Sequence, residues 1–211
     1  MTNRNWITLA AAFAVLGGTP AWGHDGEDHG AASEGPVMEN VDASRTPDAR
    51  AYFTDTLLLN QHGEPVRFYS DVLEGRVVLL NVIYTECPDA CPLITQKIRQ
   101  VREAIDEPIK GRIHFISISS DPENDSPQAL RAFIQKQKAE DPNWIFLTGE
   151  KANVDAVLMR LGQLSQTPEG HSTLLIAGDV PNKRWTKIRP DAPAVAIAER
   201  LKLLAVPIGG G

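Results

Sequence analysis

From Tyr52 onward the chain alternates between continuous apolar runs and segments in which apolar residues return every three or four places. The first pattern marks strands and the second marks helices. "YFTDTLLLN" and "PVRFYS" flank the turn-like "QHGE" and predict a β-hairpin with Gly63 at its bend. "RVVLLNVIY" is almost unbroken, as expected of a central strand covered on both faces. Ile94, Ile98, Val101 and Ile105 then form one stripe of a helix, with Lys97, Arg99 and Arg102 elsewhere on it. "RIHFISIS" is a strand. "SPQALRAFIQKQKA" is a helix with Ser126 as its N-cap, Pro127 at its first position, and Leu130, Phe133 and Ile134 turned inward. "NWIFLTG" predicts another strand, and Val154, Val157, Leu158 and Leu161 another helix. "HSTLLIAG" and "RWTKI" form a hairpin around "DVPNK", and Ala194, Ile197, Leu201 and Leu204 stripe a last helix. No internal repeat is present.

Strand–helix alternation of this kind builds a parallel βαβ core, and the late hairpin adds antiparallel strands to the same sheet. The fold class is therefore α/β, a mixed central sheet flanked by helices with an N-terminal β-hairpin. The only two cysteines, Cys87 and Cys91 in "YTECPDACP", stand where the central strand gives way to its helix. That placement narrows the prediction to a thioredoxin-like architecture.

At 211 residues, 42% hydrophobic and 23% charged, the chain has the composition of a globular protein with one well-buried core. Its beginning reads differently. "MTNRNWITLAAAFAVLGGTPAWG" places Arg4 before an apolar run from Trp6 to Leu16 and small residues at Ala21 and Gly23, the order of a secretory signal peptide cleaved after Gly23. The run is short for a membrane span, which needs about 20 apolar residues. Membrane contact is expected only if this segment is retained as an anchor. Residues 24–50 carry seven acids against two arginines and few aliphatic side chains, so they read as a disordered tether ahead of a folded domain at residues 51–207. Export to a bacterial periplasm follows, in soluble form once the leader is removed. The formal charge of −6 belongs mostly to the tether, because from Ala51 onward 18 Lys and Arg stand against 20 Asp and Glu. Nothing here resembles the basic patch that nucleic-acid binding requires.

Two cysteines in an exported protein can be a structural disulfide, a redox couple or a pair of metal ligands. As a staple the pair closes only a tiny loop, which gives the smallest entropic stabilisation a disulfide can supply. A helix starting near Pro88 would set its exposed N–H groups against both sulfurs and favour thiolate, the form that attacks disulfides and the form that binds metals. Dithiol redox enzymes usually have two residues between their cysteines. Three place Cys91 one helical turn after Cys87, where the sulfurs can converge on an ion and can still be oxidised to a disulfide. The spacing alone does not choose.

A metal site needs a further ligand, and the chain has five histidines. His24 and His29, in "HDGEDH", lie in the tether without preorganised geometry. His62 sits in the predicted hairpin turn, and His114 alternates with Ile113 and Phe115 inside a strand. His171 follows "QTPEG" and opens a strand, a junction that a thioredoxin-like sheet can bring near the cysteine-bearing helix end. Two thiolates with one imidazole suit Cu(I), and the same set with added oxygen ligands suits Cu(II). Zinc would normally take four protein ligands in a closed site.

The residues resemble the Sco/SenC family of copper-binding, thioredoxin-fold assembly proteins. "YTECPDACP" is similar to that family's Y-T-x-C-P-D-x-C-P, and "DPENDSP" from Asp121 to its D-P-x-x-D-T/S-P. "LTG" at Leu147 and "GHSTLLI" from Gly170 fall in the expected later places. The resemblance implies that Cys87, Cys91 and His171 are copper ligands and that the protein helps load the copper centre of cytochrome c oxidase. It also draws in Asp89, between the cysteines, and Asp121 and Asp125 as acids near the site. The chain departs from the family pattern in having Gly170, where an acid often stands, directly before the histidine, and in a short segment between the preceding helix and His171.

The leading expectation is a copper chaperone that hands its ion to a copper-accepting protein, such as an oxidase subunit, and releases it when the cysteine pair is oxidised by a thiol-disulfide partner. The alternative is an enzyme, a periplasmic thiol-disulfide reductase with Cys87 attacking and Cys91 resolving, which needs no histidine. A thiol peroxidase is a third reading, with no clear arginine partner for its cysteine.

Overall fold

The computed structural model describes residues 48–206. The predicted leader and nearly all of the acidic segment, with His24 and His29, lie outside the described residues. Among the described residues, seven strands form one sheet in the order β2-β1-β5-β4-β3-β6-β7. At its centre β3 (Val77–Ile83), β4 (Ile113–Ser119) and β5 (Trp144–Thr148) run parallel. They are linked by α2 (Ala90–Glu103) and α3 (Pro127–Gln137). An antiparallel hairpin, β1 (Leu57–Asn60) and β2 (Pro65–Arg67), extends the sheet beside β5. A second hairpin, β6 (Leu175–Asp179) and β7 (Arg184–Ile188), extends it beside β3.

The alternation along β3 shows why this run is so apolar. Leu79 and Ile83 pack on one face of the sheet with α2, α3 and α5 (Ala194–Ala205), while Val78, Leu80 and Val82 pack on the other with α4 (Lys151–Arg160) and α1 (Ala49–Phe53). Each face buries a separate core, so every position of the strand after Val77 is buried. α3 begins as its sequence predicts: Ser126 Oγ accepts the Ala129 N–H at 3.2 Å and Pro127 fills the first helical position.

The start of the domain departs from the predicted hairpin. Tyr52 and Phe53 complete α1, whose first residues, Ala49 and Arg50, fall inside the segment read as tether. Past β2, Phe68–Leu73 coils into a π-helical turn. Both segments turn for the same reason, that Phe53, Phe68, Tyr69, Val72 and Leu73 are all buried on one side, which a strand's alternation would not allow. The bend of the hairpin is at Gly63, with φ +82°, a conformation that glycine adopts without strain.

Candidate metal centre

The cysteine motif leaves the carboxyl end of β3. Because β6 runs antiparallel to β3, with Leu80 opposite Ile176, the segment entering β6 starts at that same end of the sheet. Topology thus brings the His171 segment and the cysteine turn to one edge of the molecule.

The helix begins at Ala90, two residues later than the sequence implies, so Cys87 lies in the turn ahead of α2 and Cys91 is its second residue. Asp89 occupies the cap position, but its exposed carboxylate makes no cap hydrogen bond. The sulfur of Cys87 takes that role: the Cys91 backbone N–H donates to Cys87 Sγ at 3.2 Å. One of the unpaired amides of the helix start is thereby satisfied by a group that carries charge as a thiolate. The Thr95 hydroxyl donates to the Cys91 carbonyl at 2.7 Å and fixes the first turn further.

The two thiols are unequal. Burial raises the Cys87 thiol, but the hydrogen bonds from Cys91, from the Tyr84 hydroxyl and from the Asp89 backbone outweigh it, leaving Cys87 below the ordinary thiol range. Cys91 is only 1% exposed, and burial, reinforced by its neighbour Cys87, pushes it up to about 12. The first proton therefore leaves from Cys87. Tyr84, pushed up to about 12 by burial and by Cys87, stays a neutral hydroxyl able to donate to that sulfur.

His171 does not open the strand, because β6 starts only at Leu175. It follows a 3₁₀ turn, Pro168–Gly170, and is buried. Its Nδ1 lies 3.1 Å from the Ser172 carbonyl. A carbonyl only accepts, so Nδ1 is the donor in this contact and Nε2 is the nitrogen left to serve as a metal ligand. The ring meets the edge of Tyr84 with centroids 6.2 Å apart. Tyr84 thus stands between the two arms, lowering the Cys87 thiol and packing its ring against His171.

The two cysteines are brought together directly and His171 only through Tyr84. Among the described residues, no three His, Cys, Asp or Glu side chains already form a cage for a metal ion. Asp125 is buried beneath the motif, accepting the Thr85 N–H at 3.0 Å and the hydroxyls of Thr85 and Ser119 at 2.6 Å each. It holds the residue two places before Cys87. Asp121 shapes its own loop instead, accepting the Asn124 side-chain amide at 2.9 Å. His62 is exposed in the hairpin turn, and His114 is half-buried within β4. A groove of about 490 Å³ lined by Phe53, Trp185 and Arg160 contains neither the cysteines nor His171. Sequence reasoning missed Tyr84 and Thr85 as individual contributors. Both sit in the quoted motif, and the turn that leads to Cys87 was the available signal.

The fold and the dithiol at its helix mouth define a thioredoxin-like protein of the cysteine-pair type. A family model described as SCO1/SenC matches residues 44–176, more than half of the 211-residue chain, and the chain belongs to that family. The SCO1 protein homolog of Bacillus subtilis is 34% identical over 119 residues, which are 55% of this chain and 60% of that protein. The chain spans less than two thirds of the length of the curated relatives it matches. Bradyrhizobium japonicum ScoI, solved with copper bound, superimposes with a TM-score of 0.58 at 26% identity, over 71% of this chain and 96% of that one. BsSco, described as carrying a disulfide switch and as a member of the Sco family of cytochrome c oxidase assembly proteins, gives a TM-score of 0.60 at 26% identity, over 72% and 92%.

Proposed function

We propose that this protein is an exported copper chaperone whose cargo is held by Cys87, Cys91 and His171. The observation that carries the reading is the Cys87 sulfur seated on the Cys91 amide at 3.2 Å, with the His171 ring packed edge-on against Tyr84 of the same motif. The donor set fits copper: two soft sulfurs, one of them already biased toward thiolate, and an imidazole. Completing the set requires the His171 turn to close on the sulfurs. Release follows when the two sulfurs join in a disulfide and pass two electrons to a partner's disulfide, which becomes a dithiol. The client is a copper-accepting protein, with a cytochrome c oxidase subunit the first to test because BsSco belongs to a family of oxidase assembly proteins. Residues 1–23 act as the leader into the periplasm, the acidic segment ahead of α1 as a tether, and the remainder, from α1 onward, as the binding domain.

Copper retained by the reduced protein after gel filtration tests the assignment. The native protein is expected to hold one equivalent, Cys87→Ser/Cys91→Ser none, and His171→Ala markedly less in the Cu(II) form. Native protein that retains no more than the double-cysteine variant refutes it.

The thiol asymmetry also favours a second reading, a thiol-disulfide reductase with Cys87 attacking and Cys91 resolving. Reduction of a protein disulfide at a rate unchanged in His171→Ala would select this reading, and no turnover at all would remove it.

A further inference from the structure

Ser120 follows the last residue of β4 and touches both arms of the candidate centre. Its N–H donates to the carbonyl of Ile83, the last residue of β3, at 2.7 Å. Its hydroxyl lies 3.2 Å from that carbonyl and 3.1 Å from the carbonyl of Pro168, the first residue of the turn that precedes His171. A hydroxyl has one proton, shared here between the strand that leads into the cysteines and the turn that leads into the histidine.

That turn is a compact body. The Ser165 hydroxyl donates to the Thr167 carbonyl at 2.6 Å, and the Gly170 N–H donates to the same carbonyl at 3.1 Å. A Cβ at Gly170 would already stand 3.4 Å from Ser165 Cβ and from Thr167 Oγ1, so the turn is closed on itself just before His171. A body this tight moves as a unit, and where it sits depends on what holds it to the sheet.

We propose that Ser120 is a positioning residue: its hydroxyl clasps the His171 turn to the end of the cysteine strand and so sets how readily the imidazole reaches the sulfurs. The inference rests on the ligand set proposed above. A clasp of one shared hydrogen bond is strong enough to hold the turn and weak enough to let it close. Its loss is expected to lower the affinity that depends on the histidine by roughly threefold to tenfold, the range of one net hydrogen bond.

The test is a two-residue cycle on the full chain, reading Cu(II) affinity by competition and the Cu(II) coordination by electron paramagnetic resonance. Ser120→Ala should weaken Cu(II) binding and broaden or shift the spectrum, Ser120→Thr should restore both, and Ser120→Ala added to His171→Ala should change nothing more. An equal loss in the native and His171→Ala backgrounds means the hydroxyl acts on the fold at large and overturns the clasp. Wild-type affinity and spectrum in Ser120→Ala, while His171→Ala is impaired, also overturn it. If His171→Ala itself binds Cu(II) as the native protein does, the ligand set fails first and the clasp falls with it.

Discussion

Removing the Asp125 carboxylate should destabilise the protein far more than its place in a loop implies. The side chain is 1% exposed and takes three donors: the Thr85 amide at 3.0 Å and the hydroxyls of Thr85 and Ser119 at 2.6 Å each. In Asp125→Ala the two hydroxyls can rotate to seek other acceptors, but the amide of Thr85 is fixed by the backbone. An orphaned buried amide costs about 1–3 kcal/mol, and each lost bond to a charged acceptor about 1.5–3, so a loss of roughly 3–5 kcal/mol is expected after partial relaxation. Asp125→Asn keeps the shape and one acceptor oxygen and should cost about 1–2 kcal/mol.

The pH dependence supplies a second handle on the same residue. Burial holds the Asp125 carboxyl above the usual carboxylate range despite its Ser119 and Thr85 donors. A pKa raised in the folded state means the proton favours the fold. This contribution is complete below the ordinary carboxylate pKa of about 4 and is lost as pH rises through the higher folded value. The gap between wild type and Asp125→Asn should therefore narrow from pH 3 to pH 7. Urea unfolding followed by circular dichroism across that range measures both effects. An Asp125→Ala variant within about 0.5 kcal/mol of wild type would mean that no buried acceptor of this kind exists, given the cost of orphaned donors.

Three further outcomes rest on the packing and the thiols. Limited iodoacetamide at neutral pH should label Cys87 at least about tenfold ahead of Cys91, because only the thiolate reacts. Fragmentation of the peptide that contains both cysteines locates the label, and equal labelling would contradict the asymmetry. The linked stability contributions run in opposite directions. That of Cys87, whose thiol is lowered, is present above the unfolded thiol pKa of about 8.5 and is lost as pH falls through the folded value. That of Cys91 is present below the same unfolded pKa and is lost as pH climbs toward about 12. On the far side of the sheet, a Cβ at Gly178 would lie 2.3 Å from the Trp185 ring, so Gly178→Ala must displace an indole that also packs on Phe53. Thermal unfolding should show a loss of about 1–3 kcal/mol, and an unchanged midpoint would mean that the indole moves aside freely.

Long periodic elements were legible in the sequence and short ones were not. Val77–Ile83 announces a central strand because both of its faces are buried, and Ile94, Ile98, Val101 and Ile105 announce α2 because one stripe is. α1 has five residues, too few for a stripe to repeat, and the Phe68–Leu73 turn imitates the β-rich composition of a strand while burying consecutive residues. At the site, the cysteine pair and its strand-to-helix setting could be read directly. The roles of Thr85, Tyr84 and Ser120 depend on contacts with Asp125, His171 and Pro168, partners that no local pattern couples to them. Asp89 shows the converse: its position suggests a helix cap, yet the neighbouring sulfur performs that task.

The pairing of β6 against β3 also orders events in time. The cysteine turn and the His171 turn are separated along the chain by two parallel strands and three helices, and they become neighbours only when the penultimate strand docks beside one laid down much earlier. Such distant closures come late in folding. A chain cut before Leu175 would display its thiols without the imidazole turn in place beside them.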